Sequence, residues 1–287
     1  MKEISLVYDR IRWEEKALIK AARNENVDLK LVDSKGVYID TLKEPSKLKV
    51  DFGEVVIQRC ISYFRGLHIT ATLESKGLYV INPFDVSLVC GNKLFTTLAL
   101  VKAGVPVPKT LIAFTDEGAF KALKELGYPA VMKPVVGSWG RLVALVKDDD
   151  SARALIESRK ETRNALLQIY YFQEYVERPP RDIRILTIGD EVVAASYRYS
   201  PSGDWRTNVA RGGVSKPCPL TEEVRETALK ASEAVGGGVL AVDCMESPYG
   251  LLVHEVNSTV EFRGLYSATG VDIARRIISY AVEVARR

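Results

Sequence analysis

The residues with the clearest chemical potential lie near the end of the chain. In VLAVDCME, Asp243 interrupts an apolar run, where a carboxylate without a partner is costly. Further on, GLLVHEVNSTVEF places Glu255 and Asn257 two residues apart, so side-chain alternation along a strand sets both on one face. If the two runs form a hairpin turning at SPYG, Asp243 comes opposite that pair and three oxygen-bearing side chains converge. Two carboxylates and an amide suit magnesium, which takes hard oxygen ligands and keeps positions for water and phosphate. Pairing of Asp243 and Glu255 with nearby Arg or Lys is the alternative; it is stronger for either residue alone than for the three together.

A second feature is VMKPVVGSWGR, which puts Lys133 on a strand just before a loop containing Gly137, Ser138, Trp139, Gly140 and Arg141. Such loops let backbone N–H groups approach phosphate oxygens while the lysine adds a point charge. The spacing is not that of a Walker A loop, and a glycine hairpin with an incidental lysine explains this stretch alone equally well. With two histidines, His68 and His254, and no Ser/His/Asp or Cys/His set, histidine catalysis has few candidates. Alternation puts His254 on the face opposite Glu255, as a packing residue. Cys60, Cys90, Cys218 and Cys244 are scattered without metal-ligand spacing and read as reduced core thiols.

The elements that position these residues follow from periodicity. A chain of 287 residues suggests two compact units or one unit with lobes. Residues 1–88 alternate strand and helix, starting with ISLVYD and the helical RIRWEEKALIKAARNENV, as in a parallel βα lobe. Residues 89–170 and 171–287 read as α+β with antiparallel pairs, including a hairpin turning at Gly189-Asp190. The front lobe lacks GxGxxG after its first strand, where YDRIR stands, which argues against a dinucleotide-binding oxidoreductase. A net charge of +3 is too small for a general nucleic-acid binder. The charged N-terminus excludes a signal peptide, and no apolar run reaches the roughly 18 residues needed to span a bilayer, so a cytosolic location is expected.

Taken in order, CGNKLFTT, KPVVGSWGRLVA, QEYVERPPRDIR, DWRTN, NVARGG and the D…E-x-N set resemble the ATP-grasp ligases over essentially the whole chain. More narrowly they resemble the branch holding RimK, the ribosomal-protein glutamate ligase, with LysX and ArgX, which act on the carrier protein LysW. The resemblance implies an ATP-grasp fold, α/β and α+β, with an N-terminal Rossmann-like pre-ATP-grasp lobe. It implies ATP and Mg2+ as cofactors, with Asp243, Glu255 and Asn257 as the metal ligands. Lys93 and Lys133 would contact phosphates and Gly137 to Arg141 would cover them. Glu174, Tyr175 and Val176 would meet adenine through their backbone, and Asp182 would lie at the ribose end. Arg206 and Asn208 would face the γ-phosphate and acceptor.

The implied reaction activates a carboxylate as an acyl phosphate and joins it to an amine, releasing ADP and phosphate. By the same likeness the carboxylate is the side chain of the C-terminal glutamate of LysW, and the amine is the α-amino group of 2-aminoadipate. Glutamate as acceptor, and RimK-type ribosomal modification, are the neighbouring alternatives. A dicarboxylate acceptor calls for guanidinium groups, and Arg198, Arg206 and Arg211 are candidates, with Asn208 and Thr259 also at the substrate. Arg10, Arg12, Arg59 and Arg65 are candidates to guide an acidic carrier tail, surface solvation being the other reading. After EF, aminoadipate enzymes of the branch tend to carry Asn-Ser or Asn-Thr and glutamate enzymes Gly-Phe. Gly264 and Leu265 stand there instead and are expected to shape the pocket floor. The resemblance also implies a homodimer or homotetramer.

Overall fold

A computed structural model describes residues 3–42, 44, 47, 51–200 and 214–286. The front lobe is a parallel sheet in the order β2 (Leu29–Asp33), β1 (Ile4–Tyr8), β3 (Val55–Gln58), β4 (Tyr79–Ile81). β1 is apolar but for Ser5, itself fully buried, because both its faces are covered. Ile4 and Leu6 pack with Leu18, Ile277 and Ile278 on one side, while Val7 packs with Val56, Leu73 and Val80 on the other. The helix Trp13–Asn24 and the closing helix Ile273–Arg286 therefore share one core with this sheet. The helix Tyr63–Glu74 covers the other face, and a short helix, Phe84–Cys90, precedes Lys93–Lys102.

The second sheet is antiparallel throughout, in the order β5 (Thr110–Ala113), β8 (Tyr170–Glu174), β6 (Ala130–Lys133), β7 (Ala144–Val146). Two helices cover it, Asp116–Leu126 and Asp149–Glu161, capped by Thr115 and Asp148, which accept from the amides of Gly118 and Ser151. Because β8 pairs with β5 and β6, this sheet runs to Glu174, and the expected division at residue 170 falls at the start of a strand rather than between units. The third sheet runs β11 (Val214–Pro217), β10 (Glu191–Tyr199), β9 (Arg181–Ile188), β12 (Val239–Ser247), β13 (Gly250–Asn257), also antiparallel. Along β9, Ile183 and Ile185 pack toward the helix Glu222–Ala234, and Leu186 and Ile188 toward the closing helix. The hairpin turns at Gly189-Asp190 and at SPYG fall where the sequence puts them.

Asn82 ties the front lobe to this third sheet. Its amide donates to the carbonyls of Val239 and Ser258, both at 2.7 Å, and its carbonyl accepts from Val239 N at 2.7 Å. Gly238 allows the approach, since a Cβ there would lie 2.2 Å from Asn82 Oδ1. Asn82→Ala leaves buried backbone groups unpaired and is expected to cost about 3 kcal/mol, read from urea unfolding. A change under about 0.5 kcal/mol would show that the clamp is dispensable.

Candidate active site

The β12–β13 hairpin brings the terminal cluster together. Asp243 stands directly opposite Glu255, and Asn257 opposite Ala241, its amide nitrogen 3.3 Å from Asp243 Oδ2. Asp243 is 1% exposed and takes Arg184 from β9 in a two-point contact, Nε and Nη2 at 2.9 and 2.8 Å. Arg198 adds a contact at 3.2 Å, while Glu255 pairs with Lys93 Nζ at 3.0 Å. Burial alone would raise the Asp243 pKa; Arg184 and Arg198 overcome it and hold the carboxyl well below its usual range. The hairpin thus brings the three side chains together, and Asp243 is also ion-paired.

Among the described residues no three His, Cys, Asp or Glu side chains group as a metal site, so a site at this hairpin needs the Asn257 amide oxygen. The donor set fits a hard divalent ion: two carboxylates and an amide, already arranged around bound positive charge. Asp243, Glu255 and Asn257 are the residues that would hold it.

One neighbour departs from alternation. The β12–β13 register shifts between Asp243 and Cys244, leaving His254 as the extra residue, and His254 lines the same cavity as Glu255 instead of packing on the far face. Its Nε2 has no hydrogen-bond partner, and burial holds its pKa well below the usual value, so it lies there as a neutral ring.

That cavity, of about 80 Å³, lies between the second and third sheets. Lys133, Asp182 and the segment Glu174, Tyr175, Val176 line it. The segment is anchored by a pair of bonds to Lys109, whose carbonyl accepts from Glu174 N at 2.9 Å and whose amide donates to Glu174 Oε1 at 2.6 Å. Asp182 is buried beside Arg178, 2.7 Å away, and Arg198, 3.9 Å away. Lys133 is buried and donates to Gln173 Oε1 at 2.6 Å.

Burial brings the Lys133 pKa down from 10.5 to about 8, opposed by the nearby Glu255. With Lys133 at the phosphates, as the resemblance implies, an anionic nucleotide would select the charged amine, so kcat/KM for ATP, which reports the free enzyme, is expected to fall as pH rises through about 8. An unchanged profile up to pH 10 would contradict it. Stability runs the other way. The unfolded chain keeps this lysine protonated up to its ordinary 10.5, so the fold gains stability as pH rises from about 8 toward that value.

The glycine loop joins this cavity to a larger one of about 230 Å³ against the front lobe. Lys93, Gly137, Ser138, Trp139, Arg198 and Glu255 line both. Lys93 fixes the loop base, donating from its backbone to Val135 O at 2.7 Å and from Nζ to Gly137 O at 2.8 Å. Arg159 bridges the two ends, donating to the carbonyls of Lys133 before the loop and Leu142 after it. Gly140 lies beside Trp139 and Arg141, whose guanidinium stacks 4.9 Å over the indole. Trp139 has φ +58°, in the left-handed region, and donates from Nε1 to Glu261 at 3.3 Å.

Thr259 lines the larger cavity. Leu265 does not: it is 1% exposed and packs in the core with Phe262, and Gly264 lines neither cavity. The reason is the helix Arg263–Thr269, which turns Leu265 inward. Arg59 is buried on Glu15 and the carbonyl of Val260, so it offers no surface to a carrier. Arg206, Asn208 and Arg211 lie outside the described residues. Sequence reasoning missed Arg184, Gln173 and Glu261. Arg184 was accessible, standing two residues after Asp182 on a strand and hence on the same face. Gln173 and Glu261 carry no local signal, because their partners come from other elements.

Two cavities meeting at a lysine-anchored glycine loop, with a carboxylate–amide hairpin at the junction, define an ATP-grasp site. A model of the RimK-like ATP-grasp domain matches residues 90–281, and one of the LysX pre-ATP-grasp domain matches residues 4–89. The chain belongs to the RimK-like ATP-grasp family and is an ATP-dependent ligase that uses ATP with Mg2+. It is 36% identical to the glutamate–LysW ligase ArgX of Sulfurisphaera tokodaii, over 98% of each chain. To the α-aminoadipate–LysW ligase LysX of the same organism it is 37% identical, over 96% of each. A solved RimK domain ATP-grasp protein from Sphaerobacter thermophilus superposes with TM-score 0.79 at 25% identity, covering 97% of this chain and 98% of that one. Among the described residues no single helix is long and apolar enough to cross a membrane.

Proposed function

We propose that this ligase joins the side-chain carboxylate of the C-terminal glutamate of LysW to the α-amino group of 2-aminoadipate. The observation that carries the reading is the junction of the two cavities, which lets a carboxylate in the larger one meet phosphate held in the smaller. Relatives named for LysW, matching nearly the full chain, support the carrier.

In this reading the backbone of Glu174 to Val176 receives adenine, and Lys133 and Lys93 place positive charge at the phosphates. Bound Mg2+, held by Asp243, Glu255 and Asn257, would neutralise charge on the transferring phosphoryl group. The carrier carboxylate attacks the γ-phosphorus, the bond to the β-phosphate oxygen breaks and ADP leaves, and Arg184 and Arg198 stabilise the transferring anionic group. The loop from Gly137 to Arg141 keeps water from the acyl phosphate until the amine attacks its carbonyl carbon and phosphate leaves.

Glutamate is the second reading of the acceptor, favoured by an ArgX relative as similar as the LysX one. The two acceptors differ by one methylene, worth roughly 1–3 kcal/mol in a fitted pocket, so kcat/KM is expected to favour 2-aminoadipate by about tenfold or more. A preference for glutamate, measured with purified LysW, would replace the first acceptor by the second.

A further inference from the structure

The larger cavity must accept an ammonium group, and among its described lining residues only Glu255 and Glu261 carry carboxylates. Glu255 is committed to Lys93 and stands opposite Asp243 in the proposed metal set. The Glu261 side chain is 38% exposed, on the segment leaving β13 just after Thr259. Its Oε1 accepts from Arg12 Nη1 at 2.6 Å and its Oε2 from Trp139 Nε1 at 3.3 Å. An ionised carboxylate has about four acceptor positions, so both oxygens retain capacity. Arg12 lines the same cavity and sets a positive charge beside the negative one. Adjacent opposite charges are the complement of an α-ammonium next to an α-carboxylate.

We infer that Glu261 is the catalytic residue that receives the α-amino group of the acceptor and takes its proton as the amide forms. This inference rests on the carrier-ligase reading above. The bound ammonium loses one proton to water, and its lone pair attacks the acyl carbon. The nitrogen turns cationic as the C–N bond forms and gives a second proton to the Glu261 carboxylate. The C–O bond to the phosphoryl group breaks, and its electron pair leaves with phosphate. Glu261 then returns its proton to water.

Hydroxylamine tests this, because it is a neutral nucleophile at pH 7 that traps an acyl phosphate as a hydroxamate without an ammonium to bind. With ATP, Mg2+ and LysW, Glu261→Gln is expected to lower kcat/KM for the amino acid about 100-fold while hydroxamate formation changes less than about threefold. Glu261→Asp should recover part of the loss. Trp139→Phe, which removes the indole hydrogen bond and leaves the carboxylate, should slow both nucleophiles alike. Equal losses for both nucleophiles in Glu261→Gln would make Glu261 only an anchor for the loop, and no loss in either would remove it from the reaction; either result overturns the inference. Absence of hydroxamate from the unmodified enzyme would instead remove the carrier-ligase reading itself, and this inference with it.

Discussion

Replacing Glu255 by alanine is expected to lower ADP formation about a thousandfold, with the protein still folded. Glu255 stands at the junction of both cavities, opposite Asp243 and bonded to Lys93. Its loss takes away one of two carboxylates in the proposed metal set and leaves Lys93 as uncompensated charge. The side chain is 23% exposed, so the fold tolerates its removal. Asp243→Ala is the less clean variant: it strands Arg184 and Arg198, and breaking such a buried pair costs about 3–5 kcal/mol. Mn2+ binding followed by spin resonance gives a second readout, weakened in Glu255→Ala. Full ADP formation or unchanged Mn2+ affinity would overturn the metal assignment.

Lys133→Met is expected to cost about 100- to 1000-fold in kcat/KM for ATP without lowering thermal stability at neutral pH. The two halves have one cause. Burial disfavours the charged amine, so the fold loses little when it goes, whereas the nucleotide loses its buried positive charge. Gln173 keeps its amide bonds to Thr110 Oγ1 and Tyr171 OH, both at 3.1 Å, so only its carbonyl is left without the lysine. Nucleotide titration by calorimetry and a melting curve check both parts. Activity within tenfold of the unmodified enzyme would mean that Lys93 alone serves the phosphates.

Much of this arrangement was legible in the chain. The D…E-x-N set depends only on strand alternation and one turn, both local, so Asp243, Glu255 and Asn257 could be brought together from spacing. That Lys133 ends a strand just before a glycine loop was legible locally, whereas its place at the phosphates came from family likeness alone. His254 was misplaced because a bulge is set by the pairing partner, which the strand's own residues do not announce. Gly264 and Leu265 were placed at the pocket on family likeness, and the helix Arg263–Thr269 carries Leu265 into the core instead. The Arg12, Glu261 and Trp139 contacts join the front lobe, the segment after β13 and the glycine loop, separations that no local pattern encodes.

The central claim is tested most directly by the mass of the carrier. Incubation of the enzyme with LysW, ATP, Mg2+ and 2-aminoadipate is expected to yield intact LysW heavier by one aminoadipate residue, with equal amounts of ADP and phosphate. Unmodified LysW under those conditions, or adduct formed with release of AMP and pyrophosphate, would contradict the account.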